Sequence, residues 1–352
     1  MSEVDHGSFM KGIRERIDSE LERFFSERAG ISMDPVCSRI NDHLRDFTLN
    51  GGKRLRPILV VLGHDLFADP DKRVYRAAIS MELTQTYLLI HDDIMDQSEI
   101  RRGKPSLHVS VRNHLGKDVR DAERIAENMA IVAGDLADSF AHQALLGCGL
   151  DPVEVLHANV ELSRIIEMTG YGQLIDIDSA NNSEFGQRDL LRLHILKTAR
   201  YTIEGPLMMG AQLSGTDRDL KPLSYYGTLL GTAFQLHDDI LGLFGEEAET
   251  GKSIKSDVNE GKKTLLMLKA MEYSSEEDGK FIRRCLSSGN VSDEDFARLK
   301  ELVKKSGSYD YSRKMMQLMI DKSKEYLSMV DGDSDIKEFL NWLADYIIQR
   351  KS

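Results

Sequence analysis

The sequence has little cysteine, little proline and no long apolar run, and each shortage excludes a class of protein. The sequence contains three cysteines, Cys37, Cys148 and Cys285. Three cysteines so far apart are too few and too scattered for a disulfide framework or a zinc site. They predict reduced thiols in a cytoplasmic protein. No apolar run approaches the roughly 18 residues that suggest a membrane span. Residues 1–11 also lack the apolar core of a signal peptide.

Positive charge is in the minority, which argues against a nucleic-acid partner. There are 46 Lys and Arg residues against 58 Asp and Glu residues, giving a net charge of −12. Several basic clusters reverse this sign locally and predict small anionic ligands, although any one of them could be a solvated surface. The clusters are Lys53-Arg54 with Arg56, Arg101-Arg102, Lys197 with Arg200, Lys252 with Lys255, and Lys262-Lys263.

Helical periodicity dominates the chain, and no stretch alternates strictly as a strand would. With 7 prolines and no Pro/Ser-rich linker, the sequence predicts one all-α domain over 1–352, a helical bundle. It consists of an N-terminal helix over 8–29, a motif-bearing core over 40–270 and C-terminal helices over 275–350. Within the core and tail, helices are predicted over 35–49, 57–66, 71–97, 121–147, 151–169, 187–213, 222–245, 263–273, 277–287, 293–306, 308–329 and 334–350, with a mobile loop over 245–260.

Two acidic blocks stand in nearly the same apolar frame, LLIHDDIMD at 88–96 and FQLHDDILG at 234–242. Buried carboxylates are costly unless a positive charge compensates them. On a helix, Asp92 and Asp96 share one face with Asp93 beside them. Oxygen ligands at this spacing suit Mg²⁺, which completes its shell with water and phosphate oxygens. The two blocks therefore predict a metal-dependent phosphate site, of which they form the facing halves.

Cationic residues near the first block strengthen this prediction. Arg101-Arg102 follows Asp96 closely enough to share a phosphate with bound metal, and paired guanidinium groups can hold a diphosphate. Upstream, GGKRLRP at 51–57 sets glycine backbone and three cations before a helix start, which predicts a second anion pocket. One metal-bound and one metal-free phosphate site together suggest two phosphorylated substrates.

The ordered motifs resemble those of the trans-isoprenyl diphosphate synthases (polyprenyl synthetases). The resemblance extends over about 40–270 and rests on GGKRLRP at 51–57, HDDIMDQSEIRRGKPSLH at 91–108, GQLID at 172–176, KT at 197–198, FQLHDDILG at 234–242 and GKSIKSDVNEGKKTLL at 251–266. It implies an isoprenoid-synthase fold with a central active-site cavity, a homodimer, and Mg²⁺-dependent condensation of isopentenyl diphosphate with dimethylallyl, geranyl or farnesyl diphosphate.

The resemblance also implies roles for individual residues. Asp92, Asp93, Asp96, Asp238 and Asp239 would bind magnesium. The allylic diphosphate would be bound by Arg101, Lys197 and Lys252, and isopentenyl diphosphate by Lys53, Arg56, Gln85 and Arg102. Thr198, Gln235 and the Lys197 carbonyl would face the developing allylic cation, and Lys262 would help to close the loop. Metal and cations would stabilise the departing pyrophosphate, which is the expected base for the final proton loss.

Tyr87 bears on the length of the product, and two other residues depart from the family pattern. Tyr87, with the smaller Leu88 after it, lies where a bulky side chain would form the floor of the product cavity, unless it is an ordinary core residue. An aromatic there resembles archaeal-type geranylgeranyl diphosphate synthases and favours a C20 product, with C15 the runner-up. Gly242 stands where many members have a third aspartate, and Lys255 occupies a position that is usually glycine.

Three other functions share part of the pattern: a farnesyl diphosphate synthase, a terpene cyclase, and a non-catalytic subunit of a heteromeric synthase. A cyclase has no use for the Lys53 and Arg56 pocket, and Gly242 replaces the hydroxyl residue that its second metal motif needs. A non-catalytic subunit tends to lose the metal aspartates, whereas the first block here is complete.

Overall fold

The computed structural model describes residues 5–30, 34–116, 119–179, 182–245 and 254–349. Almost all regular structure in these ranges is helical, and the chain forms two compact units. The first contains Met1–Leu162 and Pro206–Asp217, and the second contains Ser163–Gly205 and Arg218–Ser352. The prediction of a single domain over 1–352 stays a prediction.

The first unit is built on helices that begin at side-chain caps or glycine turns. Its helices are α1 His6–Arg28, α2 Pro35–Leu49, α3 Leu55–Asp65, α4 Arg73–Met95, α5 Leu107–Leu115, α6 Ala122–Leu146 and the first part of α7 Pro152–Ser179, with most of α9 Gly205–Leu213. Asp5 and Asp34 cap α1 and α2 by accepting bonds from backbone N–H groups of the first turn. α4 packs along α6, and α3 meets α9 through Gly63, where an added Cβ would lie 2.3 Å from the Leu207 carbonyl oxygen.

The second unit is organised around α10. Its elements are the end of α7, α8 Gln187–Leu193, a π-helical segment His194–Glu204, α10 Lys221–Phe244, α11 Ser256–Asn259, α12 Leu265–Tyr273, α13 Glu276–Leu286, α14 Asp293–Lys305, α15 Ser308–Ser328 and α16 Ser334–Gln349. α10 packs on α15 and on the π-helical segment. Gly227 and Gly231 allow α10 to approach the π-helical segment closely. A Cβ on Gly227 would lie 2.5 Å from the Cα of Glu204, and a Cβ on Gly231 would lie 2.5 Å from the Cα of Ala199.

A short hairpin follows the first acidic block, between the helices predicted over 71–97 and 121–147. Strand β1 (Ile100–Arg101) pairs antiparallel with β2 (Lys104–Pro105). The two turn residues, Arg102 and Gly103, both have positive φ (53° and 74°). Two such residues form the tight turn whose twist matches paired strands. The hairpin fixes where Arg101 and Arg102 project.

The helix predictions are confirmed to within a few residues for most elements, and three differences stand out. α7 continues to Ser179, ten residues past the predicted end at 169. The predicted helix 187–213 is divided by the π-helical segment. α5 and α11 were not predicted, and α11 occupies part of the predicted mobile loop. Of that loop, 246–253 lies outside the described residues.

In the part of the chain that the structure describes, no helix combines the length and apolarity needed to cross a membrane.

Candidate functional site

The first acidic block closes α4 and divides into one buried and two accessible carboxylates. Asp93 is 0% exposed, and its Oδ1 accepts hydrogen bonds from Arg101 Nε at 2.7 Å and from Arg101 Nη2. Asp92 is half-buried, with Oδ2 at 3.6 Å from Arg101 Nη2, and Asp96 is exposed. Asp93 therefore anchors the hairpin arginine, while Asp92 and Asp96 stay accessible to a ligand one turn apart.

The second oxygen of Asp93 is a buried hydrogen-bond acceptor that is left available for a ligand. Asp93 Oδ2 has no hydrogen-bond partner among the described residues. Burial raises the pKa of this carboxyl, and the hydrogen bonds from Arg101 oppose that rise. A buried carboxylate oxygen that accepts no hydrogen bond can accept a cationic ligand.

Arg102 lies against the glycine turn that precedes α3. Its Nη1 donates to the carbonyl oxygens of Asn50 and Gly51, each at 3.3 Å. A Cβ on Gly52 would lie 3.1 Å from the same nitrogen, and the φ of Gly52 is +100°. Glycine at 52 thus permits both the backbone conformation and the close approach of the guanidinium. Arg102 is brought to the glycine segment of the predicted second anion pocket.

The neighbouring cluster of cations is smaller than the sequence suggests, because Arg54 is buried. Its Nε donates to Asp18 at 2.7 Å, and its Nη1 donates to Glu82 at 2.5 Å and to the Thr48 carbonyl at 3.0 Å. Its charge is already paired inside the unit. Lys53 is exposed, Arg56 is half-buried and Gln85 is 9% exposed. Glu82, the single glutamate in the apolar sequence of α4, is the sequence signal for such a buried cation, because a buried carboxylate requires a charged partner.

The candidate floor residues lie further up α4. Tyr87 and Leu88 are half-buried, and the Tyr87 ring meets His91 edge-on with centroids 5.0 Å apart. Burial, with the nearby Asp138 and Asp135 of α6, raises the pKa of Tyr87. Asp138 Oδ1 is buried with no hydrogen-bond partner in the described ranges. These α6 carboxylates were not identified from the sequence, although acidic residues among alanines on an apolar helix were a usable signal.

The second acidic block lines a cavity of about 440 Å³ within the second unit. The wall comes from the end of α7, from α8 and the π-helical segment, from α10, and from the chain between Ile254 and Thr264. Four carboxylates (Asp176, Asp238, Asp239, Asp257) and three ammonium groups (Lys197, Lys262, Lys263) take part in it. The cavity combines acidic and basic groups, as a shared metal and phosphate site requires.

Two predicted cation-facing residues are joined by a chain of hydrogen bonds. Thr198 Oγ1 donates to Gln235 Oε1 at 2.8 Å, and Gln235 Nε2 donates to Asp239 Oδ1 at 2.8 Å. Lys197 Nζ donates to Asp176 Oδ2 at 2.5 Å. Asp176 belongs to the GQLID motif but was not assigned a role from the sequence. These bonds fix the rotamers of Thr198 and Gln235 on the cavity wall.

Asp239 is a buried carboxylate of this cavity with one oxygen left over for a ligand. It is 8% exposed, and its Oδ2 has no hydrogen-bond partner among the residues described. Burial, with Asp257 and Asp238 nearby, raises the pKa of Asp239 to about 8. The Nε2 of His194 lies 3.4 Å from Oδ2, but burial lowers the pKa of that imidazole to about 4, so it is neutral. An additional cation is needed to hold Asp239 ionised at neutral pH.

The lysines after α10 have different partners. Lys262 Nζ lies 3.0 Å from Asp257 Oδ1 and 2.7 Å from Glu260 Oε2. Lys263 Nζ donates to the carbonyls of Ser179 and Asn182 at 2.8 and 2.6 Å. Lys255 Nζ donates to Asp293 Oδ1 at 2.5 Å, which gives this unusual residue a structural role. The predicted diphosphate ligand Lys252 lies outside the described residues.

Magnesium fits these residues only if a ligand shares its coordination. Within 5–30, 34–116, 119–179, 182–245 and 254–349, no three His, Cys, Asp or Glu side chains are grouped to hold a metal alone. Mg²⁺ is usually bound by one or two carboxylates, several waters and substrate phosphates. Asp92 with Asp96, and Asp238 with Asp239, provide such carboxylates, and the unpartnered oxygens of Asp93 and Asp239 fit a cationic ligand.

Comparison with known sequences identifies one family. The sequence model of the family described as Polyprenyl synthetase matches residues 37–303. The chain is 34% identical to a geranylgeranyl diphosphate synthase of Sulfolobus acidocaldarius over 86% of its length and 88% of that protein. It is 31% identical to a geranylfarnesyl diphosphate synthase of Aeropyrum pernix over 85% of its length and 91% of that protein.

Solved structures show the same fold. A geranylgeranyl pyrophosphate synthase from Corynebacterium glutamicum, complexed with isoprenyl diphosphate and magnesium, aligns with a TM-score of 0.88 at 31% identity, covering 99% of this chain and 100% of that one. A geranylgeranyl pyrophosphate synthetase from Pyrococcus horikoshii aligns with a TM-score of 0.81 at 30% identity, covering 98% of each chain. The predicted all-α isoprenoid-synthase fold is confirmed.

Proposed function

The chain belongs to the polyprenyl synthetase family of prenyl-transferring enzymes, and we propose on that premise that it makes all-trans geranylgeranyl diphosphate. It condenses isopentenyl diphosphate head-to-tail with allylic diphosphates and releases pyrophosphate. The observation that carries the proposal is the cavity at the second block, where buried Asp239, whose Oδ2 has no hydrogen-bond partner among the described residues, lies with Asp238 and Lys262. Several matched relatives are named geranylgeranyl diphosphate synthases, which supports the C20 product.

We propose for the individual residues the binding roles that the family resemblance implies. Asp92 and Asp96, with Asp93 in support, and Asp238 and Asp239 hold magnesium. Arg101, Lys197 and Lys252 bind the allylic diphosphate, whereas Lys53, Arg56, Gln85 and Arg102 bind isopentenyl diphosphate. When bound, magnesium supplies Lewis-acid stabilisation of the departing pyrophosphate. Arg101 already lies between Asp92 and Asp93, where a planar guanidinium can also bind phosphate oxygens.

The chain's residues then control the cationic intermediate. The allylic C–O bond breaks, and the bonding electrons leave with pyrophosphate. Thr198 and Gln235, fixed by their mutual hydrogen bond, present oxygen dipoles to the allylic cation with the Lys197 carbonyl. The double bond of isopentenyl diphosphate attacks the cation, and pyrophosphate removes the proton. Lys262 helps to close the cavity, because water would quench the cation.

Condensation with labelled isopentenyl diphosphate, Mg²⁺ and each allylic primer in turn tests this function. A C20 product supports the proposal, whereas C15 or C25 products assign a farnesyl or geranylfarnesyl diphosphate synthase. Asp92→Asn is expected to abolish condensation, and Glu99→Gln, an exposed acid just after the block, to retain it. Failure with every primer would identify a non-catalytic subunit, and a cyclic hydrocarbon product would identify a terpene cyclase.

Tyr87 sets the floor of the product cavity in this proposal. Tyr87→Ala is expected to shift products from C20 towards longer chains, since it removes a half-buried ring above His91. Product length by chromatography is the measurement. Tyr171→Ala, an exposed tyrosine of α7, is the control and leaves the length unchanged. An unaltered product from Tyr87→Ala would assign Tyr87 to ordinary packing, with Leu88 the next candidate.

We further propose a cytoplasmic homodimer in which both compact units form one catalytic domain. The family match at 37–303 extends over residues of both units. All three cysteines are free thiols. Within the first unit, α6 and the start of α7 expose a series of large apolar side chains: Ile131, Val132, Leu136, Leu146, Val153, Leu156 and Val160. Apolar surface of this kind is typical of a protein interface.

A further inference from the structure

Gly242 interrupts a pattern that the first acidic block completes. In the first block, Asp96 follows Asp92 by four residues, so the two carboxylates share one helix face. In the second block, the residue four positions after Asp238 is Gly242, and it too lies on α10. The face that carries Asp238 therefore lacks a carboxylate of its own one turn further on.

The space above Gly242 is filled by a carboxylate from elsewhere in the chain. A Cβ built on Gly242 would lie 2.4 Å from Asp257 Oδ2 and 3.4 Å from Asp257 Cγ. Asp257 belongs to α11, fifteen residues further along the sequence. Its carboxylate thus occupies the volume that a side chain at position 242 would fill.

Hydrogen bonds hold Asp257 in this position. Lys262 Nζ donates to Asp257 Oδ1 at 3.0 Å, and the Lys262 backbone N–H donates to the Asp257 carbonyl at 2.9 Å. Oδ2 is the oxygen directed over Gly242. Asp257 also lines the same cavity as Asp238 and Asp239.

A second observation indicates that this group of carboxylates receives a cation. Asp239 is 92% buried, lines the cavity, and carries an Oδ2 with no hydrogen-bond partner in the described part of the chain. Asp257 and Asp238 both act on it as like charges. Lys262 is the nearby positive charge, and it is already shared between Asp257 and Glu260. Three carboxylates around one cavity wall need further positive charge.

We propose that Asp257 supplies the third carboxylate of the second acidic block, completing a divalent-cation and diphosphate site with Asp238 and Asp239. Gly242 remains without a side chain to make room for it. The inference rests on the proposed function, because a prenyl diphosphate substrate provides the phosphate oxygens that share the cation. It also explains why the absence of an aspartate at 242 does not leave the block one carboxylate short.

Binding of Mn²⁺ in the presence of inorganic pyrophosphate, followed by electron paramagnetic resonance, tests the proposal without an activity assay. Asp257→Asn keeps the shape and removes the charge, and it is expected to weaken Mn²⁺ binding by about tenfold or more. Glu260→Gln is the matched control, since it removes the other acidic partner of Lys262. It is expected to change Mn²⁺ binding by less than about twofold.

Moving the carboxylate gives a rescue experiment. Asp257→Ala alone is expected to lose Mn²⁺ affinity, and Gly242→Asp combined with Asp257→Ala to recover most of it, because the new side chain enters the vacated space. Circular dichroism and melting temperature establish that each variant is folded before titration.

Distinct outcomes separate this inference from the proposed function. Equal effects of Asp257→Asn and Glu260→Gln, or a double variant no better than Asp257→Ala, would limit Asp257 to positioning Lys262 and overturn the inference alone. Wild-type protein that binds no Mn²⁺ with pyrophosphate would overturn the proposed function together with it.

Discussion

Arg54 carries a full positive charge inside the first unit, where it joins α1, α2 and α4 through Asp18, Thr48 and Glu82. Arg54→Met is expected to lower the free energy of unfolding by about 3–5 kcal/mol, because it leaves Glu82, 4% exposed, without its main partner. Chemical denaturation measures the loss. Adding Glu82→Gln is expected to restore part of it, and a double variant as unstable as the single one would refute the pairing.

Glu204 gives a pH-dependent stability. It is 3% exposed, accepts a hydrogen bond from Ser224 Oγ at 2.7 Å, and burial raises its pKa above the ordinary 4.5. The folded carboxyl thus holds its proton to higher pH than the unfolded one, so its contribution to stability is lost as pH rises. Glu204→Gln is expected to gain stability relative to wild type as pH rises above the ordinary carboxyl pKa of 4.5. A pH-independent difference in urea unfolding would contradict this, and exposed Glu184→Gln is the control.

Among individual residues, the sequence predicted candidate ligand-binding groups better than the residues that position them. Thr198 and Gln235, distant in sequence, do meet in the cavity. By contrast, Glu82, Asp176 and Asp257 were not assigned, because each acts through a partner brought near by tertiary packing. Local spacing reveals a shared helix face, but it cannot reveal which distant side chain fills the space above a glycine.

At the scale of elements, backbone contact between α7 and the π-helical segment depends on one glycine. A Cβ on Gly172 would lie 2.6 Å from the Lys197 backbone nitrogen, whereas a Cβ on Gly170 would have no atom of the described residues within 4 Å. Gly172→Ala is expected to destabilise the protein by about 1–3 kcal/mol through overpacking. Gly170→Ala is expected to be neutral or stabilising by up to about 1 kcal/mol through helix propensity.

Thermal unfolding of Gly172→Ala and Gly170→Ala measures the two predicted changes in stability, and steady-state kinetics measures the effect on substrate binding. Displacing Lys197 is expected to raise KM for the allylic substrate in Gly172→Ala alone. Similar behaviour of the two variants would mean that α7 can move away from Lys197 without cost.

Helix existence was predictable from apolar periodicity, but helix endings and register were not. The helix predicted over 151–169 ends just before Gly170 and Gly172, whereas α7 continues through both glycines to Ser179. Gly172 allows close packing against Lys197 and does not end the helix. The π-helical register of 194–204 has no periodicity signal of its own in so short a segment. The hairpin at 100–105 was too short to show alternation.

At the scale of the whole molecule, the proposed dimer interface on the exposed apolar side chains of α6 and α7 can be tested by measuring the oligomeric state. Val132→Asp, at a position 58% exposed, is expected to convert the proposed dimer to a monomer, because an ionised carboxylate in an apolar interface is strongly unfavourable. Leu318→Asp, on a 54% exposed leucine of α15, is the control and leaves the dimer intact. Light scattering after size-exclusion chromatography measures the mass. A persistent dimer in Val132→Asp would place the interface elsewhere.

The π-helical segment makes this part of the chain sensitive to length rather than to composition. Its backbone hydrogen bonds join residues five apart instead of four, so each turn contains more residues than a turn of α-helix. The direction in which each side chain after His194 points therefore depends on how many residues the segment contains. Removing one residue before Lys197 would favour ordinary α-helical winding and turn Lys197 and Thr198 relative to Gly172 and Gln235. Among related chains, a gap in this segment therefore signals altered chemistry even where every motif letter is retained.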